Sequence, residues 1–224
     1  MMENVLQVRT SLVSFYVLRD SEGLYLIDCG FIGGWRRLKE SLRHRGWDEE
    51  PIKGIIVTHG HLDHILNVGS IAERTGAWIA APRLDEVHYQ GNPNYSGLSK
   101  ITGCLEGVGR SLLNFRFFEP KRLLDEGDFL DVWQGLTVVH LPGHTAGHSG
   151  LYCEKLQLLF CADLFASFKR FSHFPPSILN VDSREMRRSV ENVLGLPLKG
   201  VIPNHADQAS PEAHLKRLRE LSKR

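Results

Sequence analysis

In THGHLDH, residues 58–64, three histidines and an aspartate fall within six residues, directly after the apolar run Ile55-Ile56-Val57. In an extended segment, residues two apart point to the same side, so His59 and His61 can grip one metal ion together. Asp63 and His64 come where the chain turns into a helix around Ile65, which swings their side chains to a new direction and toward a second centre. Three further strand ends supply the ligands that two centres would still lack: His144 in LPGHTAGH, Asp163 in LLFCADLF and His205 in GVIPNH. Each follows an apolar strand, the rigid placement a metal ligand needs. The chemistry open to such a set is metal-assisted attack by water. The bland alternative, a polar loop of solvated residues, leaves the later three strand ends unexplained.

The elements that must position these residues read as follows. SLVSFYVLRD and GLYLIDCG flank the turn signal Asp20-Ser21-Glu22-Gly23, which makes an antiparallel hairpin. Trp35, Leu38 and Leu42 recur at helical spacing over residues 35–44, and Gly46 stops that helix. The β-branched run Ile55 to Val57 is a short buried strand closing at Thr58. Ile65, Leu66, Val68, Ile71 and Ala72 give a helix ending near Gly76, and Ala77 to Ala81 another strand. Gln90 to Ser111 is rich in Gly, Ser and Asn and reads as a long loop or partly helical insertion, of the kind that can act as a lid. In the second half, FLDVW, LTVVHLPG, HSGLYCEK and LQLLFCAD are closely spaced strands. Ser183 to Leu194 is an amphipathic helix, GVIPNH a last strand, and Pro211 to Leu221 a basic closing helix. Strand clusters with helices in both halves predict two sheets packed face to face under outer helices, in one domain over residues 1–224.

Lys plus Arg number 27 against 26 for Asp plus Glu. No long-range field draws in nucleic acid or an anionic membrane. The opening MMENVLQVRT lacks the pattern of a secretion signal, and no apolar stretch has spanning length, so a soluble cytoplasmic protein is expected. Cys29, Cys104, Cys153 and Cys161 show no CxxC spacing and read as reduced, mostly buried thiols.

The series THGHLDH, His144, Asp163, His205, in that order and at those separations, resembles the metallo-β-lactamase-fold hydrolase superfamily over nearly the whole chain. The resemblance implies an α+β fold, a four-layer αββα sandwich with the site along one edge of the sheets. It implies one metal held by His59, His61 and His144, a second by Asp63, His64 and His205, and Asp163 bridging both. Zinc is the expected ion, with iron or manganese as alternatives. Asp63, beside the water shared by the two metals, is the expected catalytic residue, taking a proton and later helping to protonate the leaving group. Asp28 matches an aspartate that orients a ligand histidine in the family, although a turn aspartate is an equal reading. His148 matches a hydrogen-bonding position near the site. Relatives hold glycines around the last histidine where this chain has Pro203-Asn204-His205-Ala206-Asp207, which puts His205 to the test.

Asp163 sets the branch. The family's true β-lactamases carry Cys or Ser there, so the resemblance points to thioesterases, lactonases and phosphodiesterases. Glyoxalase II continues well beyond its last ligand, whereas 19 residues follow His205 here. The main expectation is a dinuclear hydrolase of a small ester, thioester or lactone. The competitors are a persulfide dioxygenase with one iron on His59, His144 and Asp163, and a metal-stabilised binding module without turnover. A small-molecule substrate is the expected partner, and a homodimer is common among relatives. Phe165, Phe168, Phe171 and Phe174 recur every third residue, interleaved with Lys169 and Arg170. They read either as packing under the core or as a substrate wall in which Phe165, Phe168, Lys169 and Arg170 contribute apolar faces and a cation.

Overall fold

Side chains alternate across each strand, and in the computed structural model this alternation divides the core into three apolar layers. The structure describes residues 3–93, 95 and 99–223. The first sheet runs in order β1 (Val5–Arg9), β2 (Ser14–Arg19), β3 (Leu24–Ile27), β4 (Ile52–Ile56), β5 (Trp78–Pro82) and β6 (Arg122–Leu124). Its first three strands form an antiparallel meander and the rest are parallel. The second sheet holds β7 (Phe129–Leu130), β8 (Leu136–His140), β9 (Ser149–Cys153), β10 (Leu158–Ala162) and β13 (Gly200–Pro203), in order β13-β10-β9-β8-β7. Between β10 and β13 lies a small hairpin of β11 (Ala166–Ser167) and β12 (Ser172–His173).

Tyr16, Leu18, Tyr25, Ile27 and Ile56 point to the space between the sheets and meet Val138, Leu151, Phe160 and Ile202 of the second sheet. Their sequence neighbours Val17, Leu24, Leu26 and Ile55 point outward onto Leu38 and Leu42 of α1 (Gly34–Arg45), near α2 (Leu62–Ile65) and onto Val68 and Ile71 of α3 (Val68–Thr75). The other outer layer sets Leu159, Cys161 and Val201 under α6 (Ser183–Leu194) and α7 (Pro211–Leu221). Period-two alternation with both faces apolar is what a sheet sandwiched between layers requires. The result is the αββα sandwich. Two more helices are α4 (Glu86–Tyr89), whose Tyr89 joins the layer under α1 and α3, and α5 (Lys100–Leu112), which adds no side chain to the three layers.

Several local expectations change. The helix expected through Ile65 breaks into α2 and α3, and the strand before the histidines ends at Ile56, leaving Val57 and Thr58 to the loop. β1 and β6 had no part in the sequence reading, and of FLDVW only Phe129 and Leu130 pair as strand. The stretch 90–111 holds all but the last residue of the 13-residue α5; residues 94 and 96–98 of the stretch lie outside the described set. Cys29, Cys153 and Cys161 are buried free thiols and Cys104 an exposed one. Among the described residues, no helix is long and apolar enough to cross a membrane.

Candidate metal centre

Strand ends converge because β10 and β13 run parallel, with Ala162 opposite Pro203. Asp163 and His205 therefore leave neighbouring strands at the same edge. Backbone bonds clamp this edge to the first sheet: Ser149 N–H donates to Thr58 O (3.0 Å), and Ser14 N–H to Asn204 O (2.9 Å). Tyr16 adds its hydroxyl to Pro203 O at 2.6 Å. Ala162, just before Asp163, has φ of 46°, a left-handed conformation uncommon for a residue with a Cβ.

Two trios form there, His59 with His61 and His144, and Asp63 with His64 and His205, and a third group of His59, His64 and Asp163 overlaps them; in each the ligand atoms lie within 4.8 Å of one another. Asp163 reaches both. Its Oδ1 is 3.3 Å from His64 Nε2, and its Oδ2 is 3.5 Å from His144 Nε2 and 3.1 Å from His205 Nε2. His205, the position tested by its unusual neighbours, thus points into the cluster, 3.5 Å from Asp63 Oδ2.

Hydrogen bonds on the far side of each ring set which nitrogen is free. Asp28 Oδ2 can only accept, so His64 Nδ1 at 3.0 Å must donate, leaving Nε2 for the cluster. Asn180 Oδ1 does the same for His144 Nδ1 at 2.9 Å. Thr58 spends its hydroxyl proton on Asp28 Oδ2 (2.8 Å) and so accepts from His59 Nδ1 at 3.0 Å. Asp28 also receives Thr58 N–H (2.8 Å) and Asn204 Nδ2–H (2.6 Å). His148 lies behind the cluster: its Nδ1 donates to Leu141 O at 2.9 Å, and its Nε2 accepts Asp163 N–H at 3.2 Å.

The residues fit a cation. Nε2 of His59, His61, His64 and His144 and Oδ1 of Asp163 are buried without completing a hydrogen bond among the described residues. Buried polar atoms so arranged are costly unless something else satisfies them. Burial first, then the charges of neighbouring imidazoles, holds His59 and His61 well below the usual histidine range, which keeps their lone pairs available. Burial works the same way on His148, bringing it down to about 3. For His205 burial is outweighed by the charges of Asp163 and Asp63, which push it up to about 10. A cation at the second trio therefore displaces protons that the carboxylates attract.

A cavity of about 410 Å³ opens over the cluster, with His61, Asp63, His144, Asp163 and His205 on its floor and Leu12, Phe31, Leu62, Leu105 and Leu179 on its walls, beside the polar Thr102 and Glu106. The residues read as either core packing or a substrate wall lie away from this cavity. Phe165 is fully buried in the layer under α6 and α7. Phe168, Lys169 and Arg170 line a separate cavity of about 240 Å³ beside Arg217 of α7. Phe165 precedes the β11–β12 hairpin, whereas Phe168 and Phe171 lie at its tip and pack on each other at 5.1 Å between ring centres.

Two carboxylates escaped the sequence reading. Asp85 is buried and accepts from Gly60 N–H (2.8 Å), Thr145 Oγ1 (2.6 Å) and Gly147 N–H (2.7 Å). It joins the loop carrying His59 to the loop carrying His144, and its one sequence signal was an acid just past a strand. Asp85→Ala is expected to destabilise the metal-free protein by about 3 kcal/mol, since three buried donors lose their acceptor, and urea unfolding measures it. Glu106 Oε1 accepts Leu62 N–H at 2.9 Å, where α2 begins, from a position 44 residues away with no local signal.

The metallo-beta-lactamase superfamily pattern matches residues 8–205. A hydroxyacylglutathione hydrolase of Chelativorans sp. (strain BNC1) is 29% identical over 167 residues, which is 73% of this chain and 50% of that protein. An acyl-coenzyme A thioesterase MBLAC2 of Gallus gallus is 24% identical over 212 residues, 89% of this chain and 74% of that one. The chain spans about half the length of the first curated relatives it matches. In fold it is similar to the crystal structure of a metallo-beta-lactamase family protein, TTHA1429, from Thermus thermophilus. The TM-score is 0.76 at 20% identity, covering 99% of this chain and 79% of that one.

Proposed function

The chain belongs to the metallo-beta-lactamase superfamily, and from that premise we propose a single-domain, metal-dependent hydrolase that cleaves a small ester, thioester or lactone at a dinuclear centre. The observation that carries this reading is Asp163, whose two oxygens reach toward both trios. His59, His61 and His144 would hold one ion, Asp63, His64 and His205 the other, with Asp163 between. Two divalent ions, zinc first, when bound would lower the pKa of a shared water toward about 7 and polarise the scissile carbonyl. Asp63, partly exposed on the cavity floor, takes the proton of the attacking water on its carboxylate and returns it to the leaving group. Asp28 and Asn180 keep the His64 and His144 rings in the orientation this requires. The apolar side chains of the walls seat the acyl portion.

The relatives' names, a hydroxyacylglutathione hydrolase and an acyl-coenzyme A thioesterase, support placing thioesters first among substrates. A mononuclear iron dioxygenase would need His59, His144 and Asp163 alone and would leave His61, Asp63, His64 and His205 without a task.

The test is metal content per chain after purification without added metal, beside hydrolysis of a thioester and lactone panel. About two zinc or manganese ions, with activity lost in Asp63→Ala and on dialysis against a chelator and regained with zinc, are the expected results. One iron, no hydrolysis and oxygen uptake with a persulfide would overturn the proposal. Metal without any turnover would leave a binding module.

A further inference from the structure

α5 is folded with its polarity reversed. It buries Thr102, Glu106 and Arg110, the last two only 9% and 7% exposed, and turns Ile101, Leu105, Val108 and Leu112 to solvent, with Leu105 68% and Leu112 79% exposed. The polar face is hydrogen-bonded to its surroundings, with Arg110 Nε alone left without a partner among the described side-chain atoms of this face. Thr102 Oγ1 donates to Ile178 O (2.7 Å), and Glu106 Oε2 accepts from Tyr95 Oη (2.7 Å) and Arg110 Nη2 (3.1 Å). Arg110 Nη1 also donates to His88 O at 2.9 Å. The apolar positions, spaced four, three and four apart, form one stripe along the helix.

That stripe meets the cavity over the histidine cluster at Leu105, which lines it together with Leu12 and Leu179, both also solvent-exposed. From Leu105 to Leu112 it runs about 10 Å past the cavity rim at the helical rise per residue. Resting on the hydrolase reading above, we propose that the substrate carries a long aliphatic acyl chain, whose carbonyl end sits over the cluster and whose tail leaves past Leu105 along Val108 and Leu112. The continuity of stripe and cavity selects this occupant. A second copy seated on the same face would close the cavity, and these few side chains fall far short of the roughly 20–30 residues a side that a stable interface uses. Chains of roughly ten carbons or more engage the stripe beyond the cavity.

The experiment is a series of N-acetylcysteamine thioesters from butanoyl to dodecanoyl, below their micellar concentrations, read beside calorimetric affinity for the matching fatty acids. Wild-type kcat/KM is expected to rise about 100-fold across the series, with affinity rising in parallel, from partial burial of the added methylenes. In the double variant Val108→Glu, Leu112→Glu, both at solvent-exposed positions, the dodecanoyl-to-butanoyl ratio is expected to fall below about tenfold in both readouts. A flat series in the wild type, or a slope unchanged in the variant, overturns the proposal. So does a dimer that dissociates in the variant while the slope stays. Chain-length-dependent binding without hydrolysis of any thioester would sink the hydrolase reading and leave the groove standing; hydrolysis with no chain-length dependence does the reverse.

Discussion

Asp163→Ala is expected to lower kcat/KM by about a thousandfold or more and to reduce bound metal per chain. The carboxylate lies 3.1 Å from His205 Nε2 and 3.3 Å from His64 Nε2, with His144 Nε2 at 3.5 Å. No other acid among the described residues stands between the two trios. Removing it takes away the one negative group shared by both, so cation affinity and transition-state stabilisation fall together. Steady-state kinetics with metal analysis on the same preparation checks this. Retention of more than a tenth of activity with full metal content would show that the two trios work independently of Asp163. The thermal midpoint of the metal-free variant serves as the control for folding.

Asp28→Asn should have the second largest effect, through a different route. Asp28 is buried and gathers four donors: Thr58 N–H, Thr58 Oγ1, His64 Nδ1 and Asn204 Nδ2. Three of these converge on one oxygen, Oδ2. An amide of the same shape offers a single acceptor atom and brings two donors of its own, so at least one buried donor is left facing another. We expect a loss of about 3 kcal/mol in the stability of the metal-free protein and roughly 10- to 100-fold weaker binding at the Asp63–His64–His205 trio, with the His59–His61–His144 trio less affected. Urea unfolding and a two-step metal titration separate the two consequences. Equal weakening of both steps would show that Asp28 supports the fold generally and does not orient His64.

Most of the architecture was legible because its signals are local. Alternating apolar runs mark strands, Gly46 and Gly76 mark helix ends, and the metal-binding types stand within a few residues of strand ends, where the backbone fixes them. What was not legible depends on contacts between distant residues. Nothing near Glu106 announces that it will bond Leu62, and nothing near Asn180 that it will hold the His144 ring. α5 was obscure for a further reason: its glycines and outward leucines invert the pattern by which a surface helix is recognised. The phenylalanines after Asp163 allowed two readings from their three-residue recurrence, and the structure divides them: Phe165 packs in the core while Phe168 and Phe171 line a separate cavity.

The same inversion in α5 bears on how this protein could change. Among the described residues, none of α5's side chains belongs to the three apolar layers, and the helix is held by polar bonds to the histidine loop, to His88, to Tyr95 and to residue 178. Its outward side chains can therefore be exchanged, lengthened or shortened without repacking the sandwich or moving a ligand. Such a part can drift or be grafted while the cavity floor is conserved, so diversification between related chains should concentrate in this helix and leave the strand ends almost untouched.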